Sequence, residues 1–361
     1  MEHDFNPKAL QLAREERGLT QSELARQMGV SQGAVSQVES CVMRASKDFA
    51  MKAAEALRYP SSFFSEPPLY RALPVITFRK QKTMSPVTLR SIKARLAIRH
   101  AELMRLLESA DVPENRIPRV IIQRSSSQEP TPSPEEVAQE LRMRWQVPPG
   151  PVENLTDLVE DAGVVVCRCH FGTPKMSGMS DYNPEERLPP ITYLNAAMTA
   201  DRYRFTLAHE LGHLVFHHHL PLPPELDVCE EEANRFASEF LMPADEVAGD
   251  LERLSLESLF SLKRYWKVSM AALIHRAQDL EVISEARARS LYIQLSKKGY
   301  RTEEPQLFEF EVPSLITEIT QCHLTDLGYS EEQLSEKLRL EHSEMRKLYL
   351  DLGQHHLRLV S

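Results

Sequence analysis

The chain has 361 residues, enough for two or three domains. Its 42% hydrophobic and 26% charged content is ordinary for a soluble globular protein. No apolar run approaches a membrane span, MEHDFNPK lacks a basic-then-apolar signal, and five cysteines do not make a disulfide framework, so a reducing cytoplasm is expected. The net charge of −9 is unevenly spread: Arg71 to Arg124 hold twelve Lys or Arg, among them Arg79, Lys80 and Lys82, against four acids.

In chain order, Pro7 suits the first turn of a helix with Leu10, Leu12 and Ala13 on its apolar side, ended by Gly18. Thr20 and Glu23 stand at capping-box spacing ahead of Leu24, Ala25 and Met28. Gly29 permits a tight turn, Val30 plugs it, and Ser31 caps a third helix that buries Val35 and Val38. The stretch TQSELARQMGVSQGAVSQVES resembles the phage-repressor-like (Cro/C1-type) helix-turn-helix family. That resemblance implies a five-helix DNA-binding bundle over residues 1–65, with the third helix entering the major groove N-terminus first. Gln32, Ser36 and Gln37 are then placed for base edges, Gln21 for the backbone or for bracing Gln32, and Arg44 and Lys47 for phosphates. Such readers imply a homodimer on a double-stranded operator.

Residues 66–134 read as a basic helical connector, with one long helix over 86–110 and a Ser/Pro linker, RSSSQEPTPSP, at Arg124–Pro134. The excess of basic residues suits either a solvated face or an arm that touches phosphates.

A region over 135–295 opens with a helix ending near Trp145. Strands are expected at Gly163–Cys169 and Ile191–Asn195, with Cys167 and Cys169 as packed strand cysteines. Ile191–Asn195 is the candidate edge for substrate strand addition, although an interior strand is equally compatible. In FTLAHELGHLVF, His209 and His213 are four residues apart, so one helix face carries both imidazoles about 6 Å apart along the axis. Glu210 stands where a metalloprotease places its general base. A third ligand is sought in CEEEANRFA. Glu232 adjoins the apolar stripe of Ala233, Phe236, Ala237, Phe240 and Leu241, whereas Glu230 and Glu231 are expected in solvent; Glu239 is the fallback. His219 has metzincin spacing but lacks the turn glycine, because residue 216 is Phe. His217, about 12 Å from His209 along a straight helix, reads as part of a polar helix end. Tyr193, Tyr203 and Arg204 are nearby candidates for a second oxyanion donor.

DRYRFTLAHELGHLVFH followed by EEEANRFASEFLMP resembles the ImmA/IrrE family of gluzincin-type metallopeptidases, intracellular proteases or antirepressors that act on helix-turn-helix repressors. The resemblance implies zinc on His209, His213 and Glu232, with Glu210 as base.

Beyond residue 296 the chain is helical and acidic. Ser330–Met345 aligns without gaps on Thr20–Val35, with Arg339 in place of the turn glycine. It reads as a helix-turn-helix-like hairpin for protein contacts. The expected whole is a multidomain, mainly α protein with an α+β peptidase: a cytoplasmic regulator that reads DNA and cleaves a partner protein. The alternative is a transcription factor whose zinc domain senses a ligand or partner without proteolysis.

Overall fold

The computed structural model describes residues 5–65, 84–119, 132–183, 188–218, 220 and 225–351. Arg79, Lys80, Lys82, His219 and nearly all of the Ser/Pro linker lie outside these. The four consecutive segments read from the sequence are arranged as two compact units. One comprises Met1–Val112, Phe171–Lys175 and Ser314–Ser361; the other comprises Pro113–His170 and Met176–Pro313. No described helix is long and apolar enough to cross a membrane.

The first unit begins with α1 (Pro7–Glu16), α2 (Gln21–Met28), α3 (Gln32–Glu39) and α4 (Lys47–Leu57). A 3-10 turn at Ser61–Phe64 stands where a fifth helix was expected, because Pro60 and the aromatic pair Phe63 and Phe64 close the bundle within four residues. Local chemistry sets the boundaries. Thr20 Oγ1 accepts from the Glu23 amide while the Glu23 carboxylate accepts from the Thr20 amide, closing the capping box. Gly29 takes φ 64°, a left-handed turn at low cost for glycine, so Val30 N–H reaches the Ala25 carbonyl at 3.0 Å. The long helix α5 (Pro86–Leu107) lies on α1: Ser91 Oγ donates to the Glu16 carbonyl at 3.0 Å, and Arg95 pairs with the Glu16 carboxylate. Arg99 pairs with Glu102. Arg95 and Arg99 of this helix are thus engaged within the fold.

The second unit contains α6 (Pro134–Arg144), α7 (Leu155–Asp161), β1 (Val165–Cys169), β2 (Gly178–Asp181) and β3 (Ile191–Asn195). There follow α8 (Ala200–Phe216), α9 (Leu226–Leu241), α10 (Ala244–Leu251), α11 (Leu256–Trp266), α12 (Met270–Asp279) and α13 (Glu285–Lys297). The sheet order is β1-β3-β2, with β1 parallel and β2 antiparallel to β3. Ile191–Asn195 is therefore the central strand. The edge nearest α8, which carries His209 and His213, is β2, whose Gly-Met-Ser-Asp lacks the alternation that marks a strand in sequence. Cys167 and Cys169 are buried, their sulfurs 3.6 Å apart.

Helices α8 and α9 pack at unusually close range. A Cβ on Gly212 would lie 3.1 Å from Ala233 Cα, so any other residue would require α9 to give by a few tenths of an ångström. Around the contact, Leu207, Leu211, Leu214, Phe236, Phe240 and Trp266 form part of one apolar core. Glu239, the fallback ligand, is buried and pairs with Arg276, while its Oε1 accepts from Gln139 at 2.8 Å and from the Ala244 amide. It holds α9 to its neighbours and is not near the histidine pair.

The first unit is completed by α14 (Leu315–Thr325), α15 (Glu331–Leu338), α16 (His342–Met345) and a π-type turn at Arg346–Leu350. The hairpin geometry of α2–α3 is repeated here. Ser330 and Gln333 form a capping box, Arg339 takes φ 60°, and Leu340 N–H donates to the Ser335 carbonyl at 3.0 Å, as Val30 does to Ala25. Just after the hairpin, the Tyr349 hydroxyl donates to buried Glu102 at 2.9 Å, and α14 meets α5 through His323 Nε2, 2.8 Å from the Leu106 carbonyl.

Candidate metal centre and nucleic-acid interface

The helix α8 presents His209 and His213 on one face, their Nε2 atoms 3.1 Å apart. The Gly212 contact brings α9 alongside and adds Glu230, whose oxygens lie 3.9 Å from His209 Nε2 and 3.5 Å from His213 Nε2. Among the described residues, these three form a group whose donor atoms all lie within 4.8 Å of one another.

Glu232, the expected third ligand, is not in this group. Its carboxylate lies 3.0 Å from His217 Nε2 instead. Residues 230 and 232 are about 160° apart around a helix and stand on opposite flanks of the buried stripe. The stripe alone does not say which flank turns towards the histidines; the docking of α9 on α8 decides it. His217 departs from its reading as a polar helix end, since it is wholly buried with Nδ1 2.9 Å from His213 Nδ1.

The donor set fits a zinc ion. Burial pushes His213 down to about 3, and burial together with the neighbouring His213 does the same for His209, so both rings are neutral at physiological pH and keep a lone pair for a metal. His209 Nδ1 lies 2.9 Å from Asn234 Oδ1, which orients Nε2 towards the centre. His209 and Glu230 are partly exposed, leaving an open side.

Glu210 is buried, and desolvation pushes its carboxyl up to about 8, with the nearby Glu230 charge acting in the same direction. Ser180 of the edge strand donates to Glu210 Oε2 at 2.9 Å and also meets His218 Nε2 at 3.0 Å. A Cβ on Gly178 would fall 3.1 Å from Glu210 Oε1 and 2.8 Å from Thr206 Cγ2, so β2 passes directly against the candidate base. Ser180 and Gly178 were not singled out from sequence, because their strand carries no periodic signal. Of the suggested oxyanion donors, Tyr203 is buried against Thr156 and Phe310, and Arg204 is buried with its guanidinium on the Val152 carbonyl and Glu311. Tyr193 is buried in the central strand.

In the first unit, α3 presents Gln32 and Gln37 to solvent, with Ser36 half-buried between them. Gln32 Nε2 donates to Gln21 Oε1 at 2.9 Å, and Gln21 Nε2 donates to Glu39 Oε2 at 2.8 Å. Glu39 is itself gripped by Arg14 through Nε and Nη2. A buried ion pair thus fixes the Gln21 amide, which in turn fixes the orientation of Gln32. Arg44 and Lys47 are exposed just beyond α3.

No curated protein matches the chain. A family model described as a helix-turn-helix matches residues 10–64, and one described as an IrrE N-terminal-like domain matches residues 159–278. The chain thus carries an XRE-type helix-turn-helix domain followed, towards its C-terminus, by an IrrE-like domain of the metallopeptidase type.

Proposed function

We propose that this protein is a transcriptional regulator whose second unit is a zinc endopeptidase acting on a partner protein. The observation that carries the reading is the convergence of His209, His213 and Glu230 beside a buried Glu210. These three residues would hold the metal. Zinc in a His₂Glu site supplies Lewis acidity, making water a nucleophile near neutral pH and polarising a peptide carbonyl. Glu210 is the proton carrier. Ser180 donates to its Oε2; the charge of a bound zinc would favour the ionised carboxylate over the protonated form of the metal-free protein, and Glu210 would then accept a proton from the attacking water and return it to the departing amine. The substrate backbone lies along the outer edge of β2, which has no further strand among the described residues, extending the sheet by strand addition and passing over Glu210. The family resemblance points to a helix-turn-helix repressor as substrate, in a stress or phage response. Gln32, Ser36 and Gln37, with Gln21 as brace, read the operator, while Arg44 and Lys47 meet its phosphates.

The zinc-loaded full chain, incubated with DNA-binding repressors from the same genome, is the direct test. Glu210→Gln should retain near-normal zinc and lose all cleavage. A variant that still cleaves would refute the assigned base, and a parent that binds zinc yet cleaves nothing would point to a sensor.

A further inference from the structure

A chain of hydrogen bonds leads away from the paired histidines. His213 Nδ1 lies 2.9 Å from His217 Nδ1, and His217 Nε2 lies 3.0 Å from Glu232 Oε2. Both rings are fully buried, so no bulk water substitutes for either contact. One set of tautomers satisfies every link. If His213 turns the lone pair of Nε2 towards a metal, its proton sits on Nδ1 and donates to His217. The Nδ1 of His217 is then the acceptor, its proton sits on Nε2, and it donates to Glu232.

We propose that His217 and Glu232 are positioning residues that fix the tautomer and ring orientation of His213, so that its Nε2 faces the metal. This rests on the reading of His209, His213 and Glu230 as the metal ligands. Of the two glutamates flanking the stripe of α9, Glu230 then meets the metal directly, while Glu232 acts on it through two imidazoles.

Zinc affinity of the full chain, measured by competition with a chromophoric chelator, is the test, alongside the visible spectrum of the cobalt-substituted protein and the melting temperature of the metal-free protein. His217→Phe preserves bulk but offers His213 no acceptor, and Glu232→Ala frees the far end. Both should weaken zinc binding about 10- to 100-fold and shift the cobalt bands. His217→Asn places a carbonyl close to the Nδ1 position and should restore affinity to within a few-fold of the parent. Equal losses in His217→Asn and His217→Phe would reduce His217 to packing and overturn the proposal, as would parent-like affinity in Glu232→Ala. Glu230→Ala separates the two readings. Loss of zinc there with parent-like Glu232→Ala leaves the ligand assignment standing and sinks the relay. Retention of zinc there with loss in Glu232→Ala would make Glu232 the ligand and sink both.

Discussion

Burial, residue by residue, sets the protonation of the candidate centre. In the metal-free protein His209 and His213 lie at about 3 instead of 6.5, and Glu210 lies at about 8 instead of 4.5. Between pH 3 and 6.5 the unfolded chain binds protons on two histidines that the folded chain leaves bare, so stability rises with pH. Between pH 4.5 and about 8 the folded chain keeps a proton on Glu210 that the unfolded chain has released, so stability falls as pH rises. Two histidines outweigh one carboxyl in the overlap. The summed contribution of these three groups to the stability of the metal-free protein should therefore be largest near about pH 6.5 and decline towards alkaline pH. Glu210→Gln removes only the declining contribution. Urea unfolding of both metal-free proteins across this range checks the assignment, and an equal alkaline decline in both would count against it.

Among the secondary-structure elements, the spacing of α8 and α9 determines which glutamate reaches the histidines. Gly212 is the contact that sets it. Replacing a mid-helix glycine with alanine ordinarily helps a helix by about 1 kcal/mol. Here the new methyl would sit 3.1 Å from Ala233 Cα, a backbone atom that yields only if the whole helix moves. Overpacking of this kind costs about 1–3 kcal/mol and should prevail. Gly212→Ala is expected to lower the melting temperature and weaken zinc binding, because α9 carries Glu230 away from His213. A more stable variant with unchanged zinc affinity would show that the close approach does not govern the site. The edge strand follows the same logic: its side chains are unremarkable in sequence, but its Gly178 backbone runs against Glu210.

Across the whole molecule, the C-terminal hairpin completes the unit that carries the DNA-reading helix, although about three hundred residues separate their partners. Arg17 meets Glu344 at 3.2 Å, and Tyr349 meets Glu102, whose carboxyl is pushed up by burial. Leu334, Leu338 and Met345 are fully buried within the hairpin. Removing residues 314–361 should destabilise the first unit by more than the roughly 2–5 kcal/mol of losing one large buried side chain. DNA affinity should fall with it. Zinc content should not change, since the proposed metal ligands all lie in the second unit. Unaltered DNA affinity and unaltered melting in the shortened chain would make the hairpin an independent attachment.

What could be read in the sequence was set by neighbours along the chain. Capping boxes, the Gly29 turn and the four-residue spacing of His209 and His213 are local features, fixed by backbone sterics and helical period. The repeat of the α2–α3 hairpin at Ser330–Met345 was visible for the same reason. Tertiary structure decided what depends on two elements meeting. It set Glu230 in place of Glu232 at the histidine pair, buried His217 beneath His213, and made Ile191–Asn195 the central strand. It also turned Glu239 into a buried partner of Arg276. Helical periodicity says which residues share a face but not which other face they will meet, and only the close packing of α8 against α9 supplies that second coordinate.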